Sequence, residues 1–126
     1  MEMYHVWDFD ITMGNCNYTG FEKPEGWQMK GAKWYNKMFQ DPSFVKEVQD
    51  RWNELYPQIR EIPSFVESQI ALLDGAQDRN FERWDILGIY VWPNAVWLGS
   101  YEAEVDFLLD YYNSRIEWLN TQLNAL

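Results

Sequence analysis

One cysteine, Cys16, stands among 126 residues, so the chain cannot close an internal disulfide or build a cysteine-based metal cluster. Histidine is as scarce. A Ser/His/Asp or Cys/His catalytic set would have to run through His5, the sole histidine, and nothing in the spacing of Cys16 or the serines supports one. Basic residues are few, ten against twenty acids, for a net charge of −10. Residues 1–60 carry nine acids and seven bases, whereas residues 61–126 carry eleven acids and three bases. The acidity belongs to the second half, and such a surface repels phosphate backbones, which argues against nucleic acid and anionic membranes as its partners. Long apolar runs are missing too. The longest uncharged stretch, Ile86 to Tyr101, contains Pro93 and falls short of the ~20 residues of a membrane span. Met1-Glu2-Met3-Tyr4-His5 lacks both the basic start and the apolar centre of a signal segment. No internal repeat or low-complexity tract is present.

What is abundant is aromatic side chain: eight Trp, eight Tyr and seven Phe, the composition of a packed globular unit. The length fits one domain with a core of its own, read here as a single unit over 1–126. Residues 1–31 are expected to form a strand and a long loop, and residues 32–126 a helical subdomain. In the first segment Trp7, Phe9 and Ile11 alternate with Asp8 and Asp10, the period of a half-buried strand. Thr12 to Gly31 has no sustained period and reads as loop. Trp34, Tyr35, Met38 and Phe39 then share one face of a short helix. Asp41-Pro42 supplies an N-cap and a first-turn proline for the next helix. Its stripe is Phe44, Val45, Val48, Trp52, Leu55 and Tyr56, and it is expected to stop at Pro57. A third helix is expected from Pro63 to Leu73, ended by Gly75, with a short one over 76–84. Ile86 to Gly99 reads as a partly buried extended connection. Ser100 caps the last helix, with Glu102 and Glu104 near its positive end and Tyr101, Val105, Leu108, Tyr112, Ile116, Leu119 and Leu123 stepping by threes and fours. Phe44, Val48, Trp52 and Leu55 are expected to pack against Val105, Leu108, Tyr112 and Leu119.

The candidate chemistry is Asp8-Phe9-Asp10, followed by Gly14-Asn15. Carboxylates two apart on a strand leave the same face ~6–7 Å apart. Such a pair suits a hard cation: Mg²⁺ takes one or two carboxylates and completes its shell with phosphate oxygens and water. Two solvent-facing acids on an edge strand give the same spacing, and both readings stay open at this level. An EF-hand is excluded, because Thr12, Met13 and Thr19 occupy places that need a ligand, a glycine and a glutamate. Lys23, Lys30, Lys33 and Lys37 give the following stretch a positive balance that could steer a phosphate or simply wet a helix face. Arg115, alone in an acidic helix, is expected to pair with a neighbouring acid in a structural role.

These residues carry a resemblance. Val6-Trp7-Asp8-Phe9-Asp10-Ile11-Thr12-Met13-Gly14-Asn15 resembles the acidic metal-site segment of the spore coat protein H (CotH) kinase family, in versions common in gut Bacteroidota. Glu25-Gly26-Trp27, Asp41-Pro42-Ser43-Phe44-Val45, Asn80-Phe81-Glu82-Arg83-Trp84, Tyr101-Glu102-Ala103-Glu104-Val105-Asp106-Phe107-Leu108 and Arg115-Ile116-Glu117-Trp118-Leu119 continue in register. The resemblance implies an atypical, secreted-type protein kinase that transfers phosphate from Mg-ATP to Ser, Thr or Tyr. It implies Mg²⁺ as cofactor, with Asp8 as first metal ligand and Asp10 as second. The family's nucleotide-binding lysine and catalytic-loop aspartate lie upstream of this motif, and only seven residues precede Asp8 here. The expectation is therefore a mainly α C-terminal helical subdomain with a short N-terminal strand, with no catalytic residue of its own. Its partner would be the upstream kinase region of a secreted or cell-surface parent. The strand's apolar face, Trp7, Phe9 and Ile11, is expected to be exposed or covered by self-association. The rival reading is an interaction module that binds protein or glycan through the aromatics of Trp92 to Trp97.

Overall fold

The computed structural model describes residues 12–18 and 20–126. The strand expected at the N-terminus, with Asp8 and Asp10, lies outside the described residues. Among the described residues there are four α-helices and no strand: α1 Lys33–Met38, α2 Pro42–Ile59, α3 Ile62–Arg83 and α4 Tyr101–Asn124.

Two of these helices begin where local chemistry says they must. The Asp41 carboxylate accepts from the Ser43 backbone N–H at 2.9 Å and from the Ser43 hydroxyl at 2.7 Å. Those bonds, the hydroxyl first, hold the Asp41 carboxyl below its ordinary range. Ser100 accepts from the Ala103 N–H at 3.2 Å and opens α4.

Two expected helix ends are corrected. Helix α2 does not stop at Pro57 but runs through it to Ile59. A proline this close to the C-terminal end removes one intrahelical bond, and the Tyr112 hydroxyl donates to the Ile59 carbonyl at 2.8 Å, tying the last turn to α4. Gly75 does not end α3 either; one helix covers both segments expected around it. A mid-helix glycine costs roughly 1 kcal/mol. Packing of α3 against α4, with the Phe81 ring 6.1 Å from that of Tyr101, offsets this.

Helix α4 is the spine. Helix α2 runs antiparallel along its C-terminal half. The Gln49 amide donates to the Leu123 carbonyl at 3.0 Å, the Trp52 indole N–H to Asn120 Oδ1 at 3.0 Å, and the Asn53 amide to Asn124 Oδ1 at 3.0 Å. Helix α3 covers the N-terminal half instead. Val105 and Leu108, expected against α2, line a groove with Phe65, Val66, Ile70 and Leu73 of α3. Tyr111, Tyr112, Ile116 and Leu123 of α4 are buried, together with Cys16. The expected face of α1 also divides. Phe39 packs edge-on against Phe44 at 5.2 Å, whereas Trp34 is turned outward and 77% exposed.

The connection from α3 to α4 is a series of turns, not an extended segment. Its ends are tied by the Gly99 N–H donating to the Leu87 carbonyl at 2.9 Å. No helix of the described residues is long and apolar enough to cross a membrane.

Candidate functional site

The segment that leaves the acidic pair, Thr12 to Tyr18, is fixed between α4 and the turn around Pro93. Gly14 lies flat on the Tyr111 ring: a Cβ at that position would stand 2.3 Å from Tyr111 Cδ2. Its φ of 89° is also one that side-chain-bearing residues adopt only with strain. Asn15 Oδ1 accepts from the backbone N–H groups of Ala95 and Val96, at 2.8 and 3.1 Å. The Asn17 N–H donates to the Pro93 carbonyl at 2.8 Å, and the Asn17 amide donates to the Tyr90 hydroxyl at 2.8 Å. Cys16, between these two asparagines, is fully buried. Tyr18 stacks on Trp92 with the ring planes 15° apart. Gly14, Asn15, Asn17 and Tyr18, four of the five residues that start four positions after Asp10, are thus seated on elements more than seventy residues away in sequence.

The following loop is held by α4. The Tyr111 hydroxyl donates to the carbonyls of Phe21, at 3.1 Å, and Lys23, at 3.4 Å. Arg115 Nη1 donates to the carbonyls of Pro24, at 2.8 Å, and Gly26, at 2.6 Å. Its guanidinium also lies 5.1 Å from the Trp118 ring, and Trp118 meets Trp27 edge-on at 5.1 Å. Arg115 therefore has the structural role expected of it, but with carbonyl partners where a carboxylate was expected. A planar fork of donors suits that role, because one side chain satisfies two loop carbonyls. Burial pushes the Tyr111 phenol above its ordinary range, and the nearby Arg115 charge opposes that. Burial also lowers Arg115, while the Tyr111 and Glu25 fields raise it.

Thr12, Phe21, Gln28, Met29, Tyr35, Tyr111 and Arg115 line a half-open cavity of about 620 Å³. It lies where the chain emerges from the acidic segment, and Tyr111 and Arg115 form one wall. Of the four lysines, Lys30 is engaged: its Nζ sits 4.9 Å from the Trp27 ring centroid and 5.5 Å from that of Phe39. Lys23, Lys33 and Lys37 are exposed. No group of three or more His, Cys, Asp or Glu that could hold a metal occurs among the described residues. Nothing in the residue pattern marks Tyr111 as the seat of Gly14. Asn15 is visible there as a residue that follows the acidic pair, and Asn17 only as part of a polar loop.

A family model described as CotH kinase protein matches residues 3–119 of the chain. The chain belongs to the CotH kinase family. The match spans the acidic segment, the clamp that follows it and α1 to α3, and reaches Leu119 in α4. No curated protein and no solved structure matches the chain. The helical architecture agrees with a C-terminal helical portion of the CotH fold. In this CotH member, α4 seats the segment leaving the acidic pair through Tyr111 and the adjoining loop through Arg115.

Proposed function

We propose that this chain is the C-terminal part of a CotH-type protein kinase, contributing Asp8 and Asp10 as Mg²⁺ ligands and α2 to α4 as the platform behind them. The observation that carries the reading is the clamp on Thr12 to Tyr18. A metal ligand must hold its position, and a peptide fastened at Gly14, Asn15 and Asn17 restrains the backbone just beyond Asp10. The donor chemistry also fits, since two carboxylates and further phosphate oxygens make a typical Mg²⁺ shell. When bound with ATP, the ion supplies charge neutralisation at the transferring phosphoryl group. Phosphoryl transfer further needs an anchoring lysine and a proton-accepting aspartate, and on this reading both belong to the kinase region that partners this one.

Titration of the chain with Mn²⁺, followed by its electron paramagnetic resonance signal, tests the assignment. Weak binding should be lost in the Asp8→Ala, Asp10→Ala double variant and retained in Glu67→Ala, Asp74→Ala. In a kinase that joins this chain to its nucleotide-binding region, the first pair should abolish ATP-dependent phosphorylation while helix content stays unchanged. Near wild-type phosphorylation by that double variant would remove the metal role from both aspartates.

The second reading, an aromatic interaction module, has one observation in its favour. Trp92 is 70% exposed on a turn that Asn15 and Asn17 make rigid. Soluble xylan and glucan oligosaccharides, titrated while Trp fluorescence is followed, test it against Trp92→Ala.

A further inference from the structure

Two exposed surfaces of this chain have complementary chemistry. The first is the groove between α3 and α4, about 550 Å³ in volume and walled by Phe65, Ile70, Leu73, Trp97, Val105 and Leu108. It is open: Phe65 is 62% exposed and Leu73 46%. The helix stretches that form its walls are net acidic. From Phe65 to Phe81, α3 carries Glu67, Asp74 and Asp78 against Arg79, and from Tyr101 to Leu108, α4 carries Glu102, Glu104 and Asp106 and no base, with Glu104 in the lining itself. The second surface surrounds α1. Gly26 to Gln40 contains Lys30, Lys33 and Lys37 and no acid, and Trp34, Met29 and Met38 are exposed within it. Trp34, Lys37 and Met38 fall on one face, three and four residues apart.

The two surfaces do not meet within one molecule. The loop leading into α1 reaches α4 at Trp118, through Trp27, whereas the groove ends at Leu108. Ten residues of helix separate those points by about 15 Å. We propose that the groove receives α1 of a second copy of this chain, head to tail, with Trp34 entering the apolar floor and Lys33 and Lys37 facing the acidic walls. An exposed indole flanked by lysines suits an apolar, acidic groove better than either feature suits water. A face-to-face arrangement of two grooves is disfavoured, because it would bring together two surfaces that are both net acidic. The contact is heterologous, so it leaves one knob and one groove free in every dimer and can continue into rings or open chains. With one short helix as the insert, it belongs to the small, weak class of interfaces below roughly 1,200 Å².

The contact governs mass and not phosphoryl transfer, so it stands or falls independently of the kinase reading. Sedimentation velocity on the chain should show a weight-average mass that rises from about 10 to about 500 µM, in the range of weak association. Raising salt from about 50 to about 500 mM should reduce it, since exposed charges are then screened. Trp34→Ala and Phe65→Glu, both at exposed positions, should each lower the association constant about tenfold or more, as loss of a central aromatic anchor does. The decisive sample is their equimolar mixture. Trp34→Ala keeps an intact groove and Phe65→Glu an intact knob, so together they should form a dimer that cannot extend. If Phe65→Glu proves misfolded by circular dichroism, the triple variant Glu67→Lys, Asp74→Lys, Asp78→Lys takes its place. A wild-type chain that stays monomeric throughout, or a Trp34→Ala chain that associates like wild type, overturns the proposal. A mixture that remains monomeric does the same.

Discussion

Replacing Gly14 by Ala should be among the more damaging single substitutions in the described structure, and its cost can be divided into two parts. The first is backbone strain. At a φ of 89° an added Cβ costs on the order of 1–2 kcal/mol. The second is a collision. The new methyl would stand 2.3 Å from Tyr111 Cδ2 and 2.6 Å from Cε2, so ring or peptide must move. Tyr111 is buried and its hydroxyl holds the Phe21 and Lys23 carbonyls, so moving the ring disturbs the loop behind it. Forced overpacking of this kind costs typically 1–3 kcal/mol, for a total of about 2–5 kcal/mol. Gly99 isolates the first part: its φ is 85°, and an added Cβ would meet nothing within 4 Å. Gly99→Ala should therefore lose only the strain, about 1–2 kcal/mol. Urea unfolding followed by circular dichroism gives both values. Combining Gly14→Ala with Tyr111→Ala should show strong non-additivity, because the second change removes the atoms that the first one strikes. Equal losses for Gly14→Ala and Gly99→Ala, or simple additivity in the cycle, would refute the seating of the post-acidic segment on Tyr111.

Three further outcomes follow from the packing of α4. Leu108→Ala should cost roughly 1 kcal/mol, since its side chain lines an open groove, whereas Ile116→Ala should cost about 2–5 kcal/mol at a buried site; urea midpoints in the reverse order would mean that α4 faces the other way. Arg115→Met keeps the aliphatic stem but strands the Pro24 and Gly26 carbonyls, and should lose roughly 1.5–3 kcal/mol while raising amide exchange in residues 21–27. Burial raises the phenols of Tyr111 and Tyr112 above the ordinary 10.0, so the folded state holds these protons more tightly than the unfolded chain does. Stability should accordingly be intact below pH 10 and fall as pH climbs from there toward the folded-state values, with a shallower fall in Tyr112→Phe; an alkaline limb unchanged in that variant would place the sensitive group elsewhere.

Sequence by itself determined those features whose cause is local. Asp41-Pro42 and Ser100 fix the starts of α2 and α4 because a side-chain oxygen and the first free N–H groups lie within three residues of each other. The net acidity of the second half and the absence of a disulfide also followed from composition alone. The order of short motifs carried the family, which the match over residues 3–119 bears out.

Tertiary structure decided the rest, wherever a local preference met a larger non-local term. Pro57 and Gly75 both signal helix ends, yet α2 and α3 continue past them because the Tyr112 hydroxyl and the face of α4 hold the following turns. The single apolar stripe of α4 could not reveal that its N-terminal half meets α3, its C-terminal half meets α2, and Tyr111 and Arg115 on its flank carry a loop ninety residues earlier. A period of 3.6 tells which residues share a face, but not which neighbour that face will meet. Nor could Gly14 and Tyr111 be paired from sequence: their contact depends on a ring and a bare Cα brought together across ninety-seven positions.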